Sequence, residues 1–262
     1  MRVHIFGLNI FGVNAFKLSK KKNFVTTISD IKKKNEFLNL KSFLNKNKKD
    51  IFFEKHPKKI IKKANLIVVT PGIIRSDKDL VNILKNKKII SEIDFFQRLS
   101  KWPYQKIISV TGSYGKTTVC NFLKKKLVKV KKDKKIFFAG RANKTLCSLP
   151  KYKKNYFLIS EIDYQLLAPS KNFSAKYNII TSLNNNANHI FKDKKLYFNC
   201  KVKLITNNLK KNFLITSKKT FQKIKKIKMK NTNIILKKNN INPILQSKSL
   251  ANEIINIIKS EV

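Results

Sequence analysis

The sequence predicts an α/β protein of two parallel-sheet domains, an N-terminal Rossmann-like domain and then a P-loop ATPase-like domain. Three observations carry this. Short β-branched apolar runs alternate with segments of helical period along nearly the whole chain. Two glycine-bearing turns, at Gly7 and at Gly112–Thr118, each lie between a strand and a helix. An acidic residue, Asp30, falls about 20 residues after the first of these turns, at the tip of the next strand.

In order along the chain, residues 2–8 form a buried strand ending in a glycine turn. Residues 9–20 are amphipathic, with Ile10, Phe11, Val13, Phe16 and Leu18, and predict a helix. Phe24–Ser29 is a second strand and closes a β-α-β unit at Asp30. Leu66–Val69 is a buried strand ended by Thr70-Pro71-Gly72, Ile89-Ile90 a short strand, and Ile93–Leu99 a helix leading out of the domain. A second α/β unit begins with a strand at Lys106–Val110 and continues through the Gly112 turn into a helix reaching about Val128. Strands are expected at 135–138, 156–160, 178–183, 203–206 and 213–216. Residues 217–240 read as a loose lysine- and asparagine-rich stretch with an edge strand at Asn233–Leu236, and Leu250, Ile254, Ile257 and Ile258 mark a last helix over 249–262. The strand-helix alternation, with a helix leading out before residue 100 and a second α/β unit after it, gives domains at 1–98 and 99–262.

Hydrophobic residues make up 42% of the 262, enough for a substantial core and too many for a disordered chain. The formal net charge is +45, from 59 basic and 14 acidic residues. Only Arg2, Arg75, Arg98 and Arg141 are arginines. Base or phosphate readout on nucleic acid favours arginine, whose planar fork binds bidentately, so a specific nucleic-acid partner is not expected. The lysines accompany many Asn, Ile and Phe, the residues of A+T-rich codons. No apolar run approaches the ~20 residues of a membrane span. Cys120, Cys147 and Cys200 form neither a metal motif nor a disulfide framework, which points to a reducing cytoplasm.

Gly112-Ser113-Tyr114-Gly115-Lys116-Thr117-Thr118 is the strongest chemical signal. Its glycines let backbone N–H groups face a phosphate, and the following helix adds a favourable dipole. Lys116 is placed to reach β- and γ-phosphates, and the Thr117 hydroxyl to ligate Mg²⁺. Glu161 ends the strand 156–160 on the side where α/β sites form and offers oxygen to the same cation.

The loop has two residues between its glycines where the full P-loop has four, and this form resembles the ATP loop of the Mur ligases. The resemblance runs in order along the chain and is strongest to the member that adds D-glutamate. Gly7–Gly12 is similar to the family's uridine-nucleotide turn, Asp30 and Thr70-Pro71-Gly72-Ile73 to its further nucleotide contacts, and Asn143 to the asparagine lining the muramoyl site. Asn188-His189 resembles its Asp-His pair, and Tyr197 with Lys201 its Tyr-x-x-x-Lys, whose lysine is carbamylated and bridges two Mg²⁺ ions. Tyr164-Gln165-Leu166 matches a family segment that leaves Glu161 one residue out of register. Tyr114 stands where the family has Asn, Asn9 where it has Gly, and Asn188 where it has Asp.

The resemblance implies ATP and Mg²⁺ as cofactors, with UDP-N-acetylmuramoyl-L-alanine and D-glutamate as substrates. It implies Gly112–Thr118 as the ATP site, Gly7, Asp30, Thr70 and Asn143 as the UDP-substrate site, and Lys116, His189 and Lys201 as catalytic. Thr117, Glu161, His189 and carbamylated Lys201 would hold metal. The segment 99–262 corresponds to the family's central domain, and the family's C-terminal domain is expected to be missing. Three readings follow: an amide ligase, a catalytically degenerate nucleotide-binding relative, or a protein completed by a separate partner supplying that domain.

Overall fold

The computed structural model describes residues 1–71, 87–184 and 194–261. These form two compact units, one of residues 1–100 with 145–149 and the other of 101–144 with 150–262. Residues 145–149, which a division at 98/99 places with the second unit, thus pack with the first.

In the first unit, β1 (Arg2–Phe6), α1 (Ile10–Lys20), β2 (Val25–Ser29), α2 (Lys41–Lys46), β3 (Ile51–Phe52), α3 (Lys58–Lys63), β4 (Leu66–Val69), β5 (Ile89–Ser91) and α4 (Glu92–Ser100) follow one another. The sheet is parallel in the order β3-β2-β1-β4-β5. The order reverses between β1 and β4, and in open parallel sheets ligands bind at the carboxyl ends of such strands. β4 is buried at all four residues, as expected of a central parallel strand covered on both faces.

The second unit comprises β6 (Ile107–Thr111), α5 (Lys116–Val130), β7 (Lys135–Ala139), β8 (Tyr156–Glu161), α6 (Tyr164–Leu167), β9 (Tyr177–Ile180), α7 (Lys194–Thr206), β10 (Asn212–Ser217), α8 (Lys218–Gln222), β11 (Thr232–Lys237) and α9 (Pro243–Ser260). Its parallel sheet has the order β11-β10-β9-β6-β8-β7. Val119, Leu123 and Leu127 of α5 and Leu250, Ile254 and Ile258 of α9 cover one core with Ile108, Val110 and Ile179. The apolar residues of α5 recur every three or four positions, so one face of the helix is committed to the sheet.

Two expectations need correction. Residues 203–206, expected as a strand, form the last turn of α7. Tyr197, Lys201, Val202, Leu204 and Ile205 are all buried, a helical spacing whose C-terminal four residues alone look β-branched and strand-like. The stretch 217–240 is more ordered than its composition indicates. Ser217 caps α8 by accepting from Thr220 N, and β11 pairs with β10 over six residues at the sheet edge. The last helix begins at Pro243, six residues before its expected start, with Pro at the first turn and Asn242 capping it.

Candidate functional site

The second unit builds its site on the loop between β6 and α5. Gly112 has φ +148°, and a Cβ there would lie 2.0 Å from Thr181 Oγ1. Only glycine lets the loop lie this close to the end of β9. Gly115, at φ +78°, precedes α5, and its position as N-cap supplies no side-chain cap among the described residues. A helix N-terminus of this kind suits anion binding.

The Thr117 hydroxyl donates to both Glu161 oxygens, at 3.0 and 3.1 Å. Glu161 ends β8, is buried, and has Arg141 Nε 3.9 Å from its Oε2. Lys116 Nζ donates to the Gly112 carbonyl at 2.9 Å. Lys201 Nζ, from α7, donates to the same carbonyl at 2.8 Å. Two lysine nitrogens thus converge on one carbonyl of the candidate phosphate loop.

Lys201 is fully buried. Burial pushes its amine down to about 7, with Lys116 acting in the same direction and Asp163, 3.9 Å away, opposing. Its Nζ lies 4.8 Å from the centre of the Tyr197 ring, and the Tyr197 hydroxyl is 3.2 Å from Ser113 Oγ. The Tyr-x-x-x-Lys spacing therefore brings both side chains against the loop. A cavity of about 270 Å³ opens on the other side of Gly115, over the ends of β9, β10 and β11, lined among others by Tyr114, Ser217, Thr220, Asn240 and Ser247.

In the first unit the nucleotide-turn residues are also gathered, but largely bonded to one another. Gly7 has φ +102°. A Cβ on Gly12 would sit 1.8 Å from the Gly7 carbonyl oxygen, so the turn packs directly on α1. Asp30 accepts from Leu8 N at 2.8 Å and Lys32 N at 3.1 Å. Thr70 is buried, donates to the Phe6 carbonyl at 2.8 Å and accepts from Asn9 Nδ2 at 2.9 Å. Asn9 Oδ1 accepts from Phe11 N and Gly12 N, so α1 caps itself where α5 does not.

Asn143 lies exposed on a turn after β7, closed by Gly140 N donating to the Lys144 carbonyl at 2.8 Å. His189, Asn188, Gly72 and Ile73 lie outside the described residues. Among the described residues no group of three His, Cys, Asp or Glu is placed to hold a metal ion. The geometry also shows residues the sequence reading did not single out. Thr181 packs on Gly112, Asp163 faces Lys201 and Arg141 faces Glu161, while Asn9, noted in the sequence only as a replaced glycine, caps α1. Of these, Asn9 carried a signal, an N-cap residue directly before an apolar period.

The fold and this loop make a parallel-sheet α/β unit with a strand, glycine loop and helix in P-loop order. No family model matches the chain. The UDP-N-acetylmuramoylalanine–D-glutamate ligase of Buchnera aphidicola subsp. Schizaphis graminum is 28% identical over 223 residues, spanning 80% of this chain and 47% of that protein. The enzyme of the same name from Thermosipho africanus is 28% identical over 225 residues, spanning 82% and 50%. The crystal structure of UDP-N-acetylmuramate:L-alanyl-gamma-D-glutamyl-meso-diaminopimelate ligase from Neisseria meningitides has the same fold, with TM-score 0.56 at 15% identity over 95% of this chain and 91% of that one. The chain is similar to Mur ligases, enzymes named for D-glutamate addition among them. It spans about half the length of the curated relatives it matches. Among the described residues no helix is long and apolar enough to cross a membrane.

Proposed function

We propose that this chain carries the nucleotide-handling chemistry of an ATP-dependent amide ligase of peptidoglycan-precursor synthesis, adding D-glutamate to UDP-N-acetylmuramoyl-L-alanine. The observation that carries the reading is the convergence of Lys116, Thr117, Glu161 and Lys201 on one glycine loop. In this reaction the alanine carboxylate attacks the γ-phosphorus of ATP, ADP leaves, and an acyl phosphate forms. The amine of D-glutamate then attacks the acyl carbon, expels phosphate and loses a proton.

The residues present fit Mg²⁺. Thr117 Oγ1 and the Glu161 carboxylate are hard oxygen donors already within 3.1 Å of each other. They would hold the ion, with Lys201 as its carbamate a further donor. Bound there, Mg²⁺ would neutralise phosphate charge. Lys116 would leave the Gly112 carbonyl for the phosphate oxygens, an interaction that strengthens as charge moves onto them. The N–H groups at the start of α5 would orient the phosphates, and the cavity beside Gly115 has room for the base. A neutral Lys201 amine is the form that adds CO₂, and burial supplies it near pH 7.

A second reading, a nucleotide-binding relative without ligase chemistry, draws on the first unit, where Asn9 donates to Thr70 and Asp30 accepts from Leu8 N. ADP release measured with Mg-ATP, UDP-N-acetylmuramoyl-L-alanine and D-glutamate separates the two. Release that requires both co-substrates supports the ligase. Tight Mg-ATP binding with no ADP formed supports the second reading.

A further inference from the structure

Arg141 stands at the carboxyl end of β7, the first residue of a turn closed by Lys144 N donating to its carbonyl at 3.0 Å. The turn presses on the end of β8: a Cβ on Gly140 would meet the Glu161 carbonyl oxygen at 2.2 Å. The backbone that bears Arg141 is therefore fixed against the residue that faces Thr117. Its side chain is 42% exposed, and its Nε lies 3.9 Å from Glu161 Oε2. It is also one of four arginines among 59 basic residues. Almost everywhere else this chain meets its need for positive charge with lysine.

The sheet order sets a direction across the site. The cavity lies over β9, β10 and β11, the glycine loop follows β6, and next come β8 with Glu161 and β7 with Arg141. A nucleotide with its base in the cavity and its phosphates on the loop points its last phosphate toward β8 and β7. We propose that Arg141 is the residue that grips the terminal phosphate of a nucleoside triphosphate, an assignment that rests on reading the loop as a nucleotide site. The guanidinium approaches Glu161 through Nε alone, at 3.9 Å, and its planar fork can meet two phosphate oxygens at once. A nucleoside diphosphate ends short of this position and gains nothing from it.

Calorimetry of Mg-ATP and Mg-ADP binding to the whole chain, Arg141→Ala and Arg141→Lys tests this. The exposed side chain makes both variants compatible with folding, and ADP affinity reports on the integrity of the loop. Arg141→Ala is expected to weaken ATP binding by at least about tenfold, the low end for a charge-assisted contact, and to leave ADP within about twofold. Arg141→Lys is expected to recover little, because a point charge lacks the fork. An unchanged ATP affinity in Arg141→Ala, or equal losses for ATP and ADP, overturns the assignment, and full recovery by lysine overturns the role of the fork. A wild-type chain that binds neither nucleotide removes the nucleotide reading itself, and the assignment with it.

Discussion

The Gly112 carbonyl accepts from Lys116 at 2.9 Å and from Lys201 at 2.8 Å, and the two lysines differ in what surrounds them. Lys116 is half-buried at the start of α5 and can swing to an incoming anion; Lys201 is enclosed. Replacing Lys116 with Ala is expected to weaken Mg-ATP binding by at least ~1.5 kcal/mol in calorimetry, the loss of one charge-assisted contact. An affinity equal to wild type would remove the loop assignment. For Lys201 the expected outcome is chemical: with ¹³C-bicarbonate and Mg²⁺, a carbamate carbon resonance appears, and Lys201→Ala abolishes it. Its absence in the wild type would leave Lys201 as a buried prop of the loop. The sequence made these two lysines unequal to the other 53 only through spacing, one after Gly115 and one four residues after Tyr197. Arg141 and Asp163 have no such spacing, and only the register of β7 and β8 brings Arg141 to Glu161.

Elements were legible where local pattern and tertiary role agree. The strands at β4, β6 and β8 are short, largely apolar runs closed by turns, and parallel pairing buries them on both faces. The end of α7 was not legible, because Lys203-Leu204-Ile205-Thr206 has strand-like composition and its helical partners lie at Tyr197 and Lys201. Residues 145–149 carry no sequence mark of packing with the first unit. There the Cys147 N–H donates to Oε1 of Glu92, the first residue of α4, at 2.9 Å. Glu92 is fully buried, and its Oε2 has no hydrogen-bond partner among the described residues. Burial raises its carboxyl from 4.5 to about 7, against the hydrogen bonds from Cys147. Between these values the folded chain binds more protons than the unfolded chain, so this group's contribution to stability falls as pH rises from about 4.5 to about 7. Urea midpoints across that range should show the fall, and Glu92→Gln should remove it. A variant with an unchanged pH profile would place the titration elsewhere.

At the scale of the whole molecule, a net charge of +45 on 262 residues works against compactness. Screening lengths shorten from about 30 Å at 0.01 M salt to about 10 Å at 0.1 M. The melting temperature is therefore expected to rise with NaCl from low to physiological ionic strength. A melting temperature that falls with salt would mean that ion pairs such as Lys20–Asp50 and Lys237–Glu253 outweigh the repulsion. The two-sheet architecture was readable because the strand-helix alternation repeats twice, each time with a glycine turn after the first strand. The state of each turn was not readable. Asn9 closes the first on itself and Gly115 leaves the second open, a difference of side-chain bonding within the same strand-turn-helix pattern.

Residues 145–149 also set a schedule for the chain's synthesis. The first unit has its sheet and α4 in hand once residue 100 has been made, yet the N–H that Glu92 accepts belongs to Cys147. At translation rates of ~5–20 residues per second, the intervening roughly 50 residues take about 2–10 s to emerge. During that interval the nascent first unit holds an uncovered carboxylate beside α4. β6, the glycine loop and α5 must all leave the ribosome before the first unit can close. The first half of this protein matures only after the nucleotide loop of the second has been made.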